Sequence, residues 1–557
     1  MPQRTNRPRK TPSDLQDLGA ALDAMSADEL RAFVRGLVDN LDVGLHAKLE
    51  ATLLEHACRG TSGWRPSAPA KGLLAEVEAF VSAARRIHRA DPEEVDAYLR
   101  QGVKAFLVGD FATARAVLGT LLPPLEEAEI DLGQQELLDE VLTESLSDCA
   151  SRYAVAVYWT TPLEERADAV FEAMKTVGGG AFRATPLADM ERVATKPLPG
   201  LEEFLPRWVT RLEREYSSEG PWESQRDRML REAVSRAEGV AGLERLARAS
   251  RKPEALHAWC SALAERRRWA EALRAYEEAA ELAPSSPSSL WRGDFLDGAA
   301  LAASRLGRTD LSRRLEAAWL EAPCLVRLLR WLEAGAPEAA TLKRRATLAL
   351  EKCPTTAPRL VGLLHVLAGD IASAAALLTQ ASGLGWSNEE HPGHVLFPAF
   401  AWLLGGAPAG TLRGELARPL RHPPTQLFGL TLDLDSEDAG APTTPRPALP
   451  TPSVIHVLQR SHAAERLTAR DRSAMLEALR SAASARTDSV ISHKRRRTYV
   501  HAAILIACSV EMETLAGHAE TGASWVAELR ERTRRFPAFQ EALRKALGRA
   551  GGAPHSP

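Results

Sequence analysis

His391 and His394 stand three residues apart in Asn388-Glu389-Glu390-His391-Pro392-Gly393-His394. Two imidazoles beside carboxylates are donors that a divalent metal accepts. Pro392 and Gly393, however, break the helix that would align the rings, and spacing fixes no third ligand. The segment therefore reads as a turn whose polar groups cap helices. Gly178-Gly179-Gly180 lacks the Lys-Ser/Thr that a phosphate loop needs, and no strand pattern precedes it, so it reads as an interhelix loop. The six cysteines, Cys58, Cys149, Cys260, Cys324, Cys353 and Cys508, lie far apart and form no Cys-x-x-Cys. They read as reduced small hydrophobes, not as zinc ligands or a disulfide frame. Neither His-Glu-x-x-His nor Gly-x-Ser-x-Gly occurs. No catalytic, cofactor-binding or metal-ligating residue is assigned. The expectation is a protein that is not an enzyme and uses no cofactor.

One charge run stands apart. His493-Lys494-Arg495-Arg496-Arg497 lies within a stretch, 453–548, that holds 16 Lys and Arg against 10 Asp and Glu. Arg532, Arg534 and Arg535 form a second cluster. Arginines grouped in this way neutralise phosphate, so Lys494, Arg495, Arg496 and Arg497 are candidate anion or nucleic-acid contacts. The competing reading is a solvated helix face, or ion pairs with the acidic stretch Asp433–Asp438. Little aromatic interleaving is present for base stacking. The whole chain, with 70 Lys and Arg against 73 Asp and Glu, has no excess of positive charge.

The elements that would position these residues are helices. In Pro253–Pro284, Cys260 takes the eighth place, Leu263 the eleventh, Trp269 the seventeenth and Ala272 the twentieth. Tyr276, Ala279 and Pro284 follow at the twenty-fourth, twenty-seventh and thirty-second. Small residues let two helices approach closely, aromatics fill the space between hairpins, and a proline ends the second helix. A second window places Gly102, Gly109, Asp110, Phe111, Ala114 and Leu118 at matching offsets, and a third places Gly362, Gly369, Asp370, Ile371, Ala374 and Leu378. In both, Gly-Asp marks the turn between the helices. A looser copy ends at Pro323, which follows Pro284 by 39 residues, so the repeats are irregular.

These windows resemble the tetratricopeptide repeat, a helical hairpin of roughly 34 residues. Leu263 departs from it, because the family prefers an aromatic there. Segments such as Ser151–Asp168, Leu384–Gly393 and Arg534–Leu547 are similar to large, uncharacterised helical proteins of bacteria, some of which carry a SWIM-type zinc finger. The Cys-x-Cys and Cys-x-His pairs of that finger are absent here, so zinc and its nucleic-acid role are not carried over. The tetratricopeptide resemblance implies an all-α, irregular solenoid that binds a partner protein or peptide in a concave groove. It implies a scaffold or adaptor without enzymatic activity. The alternative is a nucleic-acid-associated factor using the basic C-terminal helices.

The rest of the chain divides by composition. Residues 1–12 are a basic tail expected to be disordered, and 13–60 an N-terminal helical hairpin with a Ser26/Glu29 capping box. Residues 71–250 are helical, with starts expected at Asp91-Pro92 and Thr161-Pro162 and helices continuing through Glu202–Tyr216 and Gln225–Arg248. The repeat core spans 251–433, a Pro/Ala/Thr-rich acidic linker 434–453, a basic helical module 454–548, and a disordered tail 549–557. No stretch alternates with period two, so almost no sheet is expected. Hydrophobic residues make up 45% and charged residues 26%, ordinary for a soluble protein. The N-terminus has no apolar signal core, and the most apolar run, Tyr499–Val510, is too short to span a bilayer. A cytoplasmic protein with no membrane contact is expected. Trp259, Trp269, Trp291, Trp319 and Trp331 are candidates for a groove lining or for the core between hairpins.

Overall fold

All four windows with repeat spacing fold as pairs of consecutive helices: Pro92–Val108 with Phe111–Glu126, Pro253–Glu265 with Trp269–Leu282, Trp291–Arg305 with Leu311–Glu321, and Pro358–Ala368 with Ile371–Gln380. The computed structural model describes residues 24–41, 43–60, 63–133, 141–177, 185–214, 223–283, 291–406, 411–424 and 447–550. Pro284, Gly178–Gly180, both terminal tails' outer residues (1–12 and 551–557), and linker residues 434–446 lie outside them. Among the described residues the protein is all-α, with 27 α-helices and no strand. Among the described residues one isolated bridge pairs Arg89 with Asp131. Among the described residues no helix is long and apolar enough to cross a membrane.

The two Gly-Asp turns are built alike. Gly109 sits at φ 89° and Gly369 at φ 84°, the left-handed conformation in which glycine carries no Cβ penalty. Their N–H groups donate to Phe106 and Val366, and those of Asp110 and Asp370 donate to Ala105 and His365. Each aspartate then opens the next helix by accepting from the N–H of Thr113 or Ser373 at 3.1 Å. Gly102 faces its own hairpin, where a Cβ would lie 2.8 Å from Leu118 Cδ2. Gly362 instead faces Leu396 of the following helix, Gly393–Gly405, at 2.7 Å. Cys260, Ala272, Ala279, Ala114 and Ala374 are fully buried. The Tyr276 ring lies across Gly298 of the next helix, where a Cβ would come 2.6 Å from Tyr276 Cζ.

Local start signals hold at Ser26, whose side chain and Glu29 form a reciprocal cap, and at Asp91, which accepts from Glu93 N–H at 2.9 Å with Pro92 in the first turn. They fail at Thr161-Pro162. Pro162 opens a turn closed by Glu165 N–H at 3.1 Å, the Arg166 guanidinium donates to the Thr161 carbonyl, and the helix begins only at Arg166. The stretch Gln225–Arg248 is helical as two helices, Gln225–Ala237 and Gly239–Ser250, with Gly239 at φ 64° where they part.

The chain forms two compact units, Met1–Leu246 and Ala247–Pro557. In the first, Phe111–Glu126 packs on Leu146–Thr160, which carries Arg166–Val177 and Pro186–Val193, and Leu201–Arg214 packs on Gln225–Ala237. In the second, each helix from Pro253 to Glu321 packs chiefly on its sequence neighbours. The C-terminal helices join this unit's core. Ala469–Ser492 lies along Ile371–Gln380, and Tyr499–Leu515 lies against Ala469–Ser492 and Pro537–Ala550. One hydrophobic cluster runs from Ala300 to Ala546 and includes the fully buried Ile506, Ala507 and Cys508 of the apolar run. The end of the linker is anchored too. Leu449 is buried, and Arg330 donates to Thr451 Oγ1 at 2.8 Å and to the Leu449 carbonyl at 3.5 Å.

Candidate functional site

The turn after Ile371–Gln380 is held by its own carbonyls. His391 donates from Nε2 to the Ser382 carbonyl at 3.0 Å and accepts at Nδ1 from Gly393 N–H at 3.1 Å. Both ring nitrogens are therefore engaged, and His391 is the neutral tautomer. His394 donates from Nε2 to Asn388 O at 3.1 Å. Trp386 packs against both rings, at centroid distances of 4.7 Å from His391 and 5.5 Å from His394. A third imidazole, His501 of the helix Tyr499–Leu515, closes on its edge at 5.0 Å. Among the described residues no group of three His, Cys, Asp or Glu is placed to hold a metal.

Beneath the turn, Arg486 is 6% exposed and donates from Nη1 to the Gly383 carbonyl at 2.9 Å. No carboxylate pairs with it among the described residues. Burial and the neighbouring charge of Arg495 lower the Arg486 pKa. Burial likewise lowers the pKa of His391 and His394. His501 is pushed down to about 4 by burial, reinforced by the charges of Arg486, His394 and His391. The seam is thus built for neutral imidazoles. The unfolded chain takes up a proton at His501 below about pH 6.5, which the folded chain refuses until about pH 4, so folding stability falls as pH drops through that window. By pH 5 the wild type should lose about 2 kcal/mol that His501→Phe does not lose, with the two nearly equal at pH 7.5. Urea midpoints at both pH values measure it, and parallel losses would contradict the reading.

The run Lys494–Arg497 occupies the turn between Ala469–Ser492 and Tyr499–Leu515, and all four side chains are exposed. None makes an ion pair among the described residues. The turn is well formed. Lys494 takes φ 52°, Arg495 N–H donates to Val490 O at 2.9 Å, and Thr498 Oγ1 donates to Arg495 O at 2.8 Å. The second basic cluster comes to the same end. Arg532 pairs with Asp488 at 2.9 Å, and Phe539 meets Tyr499 edge-on at 5.7 Å.

A separate groove of about 500 Å³ runs beside the anchored linker end, lined by Ser304, Leu311, Leu315, Arg330, Pro450 and Pro452 among others. Arg330 reaches it from a buried ion network. Arg327 donates from Nε to Asp297 at 2.7 Å and from Nη2 to Asp294, and its Nη1 donates to Ala322 O at 3.0 Å. The tryptophans mostly form core. Trp259, Trp319 and Trp331 are buried, and the last two stack at 5.3 Å. Trp269 and Trp291 are half-buried, Trp291 against Phe295. All six cysteines are free thiols, and burial raises the pKa of Cys58, Cys149, Cys260, Cys353 and Cys508, which makes them poor nucleophiles.

Sequence reasoning missed Arg486, His501, Arg330 and Leu449. Arg486 had a signal, since it continues the apolar stripe of Leu479, Ala482, Ala483 and Val490, where a charge is out of place. Arg330 and Leu449 had none, because they meet across more than a hundred residues. In comparison with known proteins, the chain matches no family model and no curated protein.

Proposed function

We propose that the protein is a non-enzymatic, tetratricopeptide-like scaffold whose helical hairpins hold an extended segment of a partner protein. The observation that carries this reading is the segment Leu449–Ser453. It contains no helical turn and is held by the helix Leu325–Glu333, which follows the hairpin ending at Glu321, with Leu449 buried and Arg330 bonded to its backbone and to Thr451. A helical surface of this unit thus already receives one non-helical peptide, and the groove of about 500 Å³ lined by that peptide and by Ser304, Leu311 and Leu315 of the hairpin has room for another. Side-chain packing and a backbone hydrogen bond are the means by which such a surface takes a peptide. Free cysteines support a reducing, cytoplasmic setting.

The test is a nuclease-treated pull-down of the full chain from its native cells, compared with Ser304→Trp, which fills the groove from an exposed rim position. A stoichiometric protein partner bound by the wild type and reduced at least tenfold in the variant, with unchanged circular dichroism, is expected. No stoichiometric partner, or one indifferent to Ser304→Trp, overturns the reading.

A further inference from the structure

We infer that the basic edge formed by the run Lys494–Arg497 together with Arg534 and Arg535 is a binding site for the phosphodiester backbone of a nucleic-acid duplex, independent of base sequence. Two runs almost forty residues apart are brought to one end of the C-terminal helices. Asp488, four residues before the end of its helix, pairs with Arg532 at 2.9 Å, and Tyr499 meets Phe539 at 5.7 Å. Four residues of helix rise only about 6 Å, so the 493–498 and 533–536 turns are neighbours.

Fold stability does not account for these cations. Lys494 follows a helix C-terminus, where positive charge is favoured, but Arg496 and Arg497 immediately precede the N-terminus of Tyr499–Leu515, where it is disfavoured. That helix has no acidic residue in its first turn to compensate. Elsewhere the arginines of this protein are commonly paired: Arg231 with Glu223, Arg314 with Glu277 and Asp310, Arg413 with Glu511. The run Lys494–Arg497 is not, and just behind it lies Arg486, a buried guanidinium without a carboxylate. Of the edge's six cations only Arg534 has an ion-pair partner among the described residues, Glu531 at 3.5 Å, so positive charge is concentrated on the two turns, and guanidinium groups suit bidentate contact with phosphate.

The aromatics choose between duplex and single strand. Tyr499 and Phe539 are buried, 4% and 0% exposed, and Phe536 is half-buried with its ring packed on the hydrophobic core, so none offers a free face on which bases could stack. What remains is backbone contact, which reads no sequence.

The experiment measures fluorescence anisotropy of the full-length protein with a 30-base-pair duplex of arbitrary sequence between 50 and 200 mM KCl. Affinity should fall on the order of 10³-fold across that range, as about six phosphate contacts require. Arg495→Glu with Arg496→Glu, and separately Arg534→Glu with Arg535→Glu, should each weaken binding at least tenfold at 50 mM. The same charge change at Arg544→Glu with Lys545→Glu, exposed and paired with Glu541, should leave it within about twofold. Vesicles of phosphatidylcholine with phosphatidylserine form the parallel arm. No duplex binding at 50 mM, equal loss in all three double variants, or binding to anionic vesicles without binding to duplex each overturns the proposal.

Discussion

Replacing Arg327 by Met should destabilise the Ala247–Pro557 unit by about 3–5 kcal/mol, the usual cost of removing one partner from a buried ion pair. Arg327 is 2% exposed and satisfies Asp297, Asp294 and the Ala322 carbonyl at once. Methionine keeps much of the volume and removes the charge. Asp294 then loses its bond from Arg327, and Asp297 keeps Arg330 at 3.5 Å. The network leaves little space for adjustment, since Gly293 approaches so closely that a Cβ would lie 2.8 Å from Arg327 Cζ. The pH dependence identifies the cause. Burial already pushes the Asp294 carboxyl up to about 7 against the pull of Arg327, and without Arg327 it rises further. A carboxyl raised in the folded state contributes stability at low pH that is lost as pH rises, so the penalty should be smaller at pH 5 than at pH 8. Urea unfolding of both proteins at the two pH values reads this. An equal penalty at both would assign the loss to packing alone.

Gly383→Val should cost about 3 kcal/mol and loosen the C-terminal helices from the helices before them. Gly383 lies in the turn after Ile371–Gln380, directly on the helix Ala469–Ser492. A Cβ there would overlap the Ala485 carbonyl and Ser489 Oγ, and the carbonyl, being helix backbone, cannot move aside. The turn must lift instead. Lifting breaks the Gly383 carbonyl's bond to Arg486 and disturbs the Ser382 carbonyl that holds His391. Arg486 would then be buried without its acceptor. The control is Gly548→Ala, where nothing lies within 4 Å of the new Cβ and a helical Gly-to-Ala change should be neutral or slightly stabilising. Urea midpoints, with limited proteolysis to locate the opening, distinguish the two. Gly383→Val as stable as Gly548→Ala would show that the turn does not carry the docking.

The sequence by itself determined the helices and many of their ends. A capping box such as Ser26/Glu29, a start such as Asp91-Pro92, and the Gly109-Asp110 and Gly369-Asp370 turns are complete within a few residues. Backbone conformation and local hydrogen bonds specify them without any distant partner. Even here competition decided one case, where Pro162 favoured a turn over a helix start. Only the tertiary structure decided which apolar stripe meets which. It set Ala469–Ser492 against Ile371–Gln380, buried Arg486, ringed Trp386 with three imidazoles, anchored Leu449 at Arg330, and paired Arg532 with Asp488. The physical reason is that an apolar helix face records how much surface must be buried but not the partner that buries it, and these contacts join residues far apart in the chain.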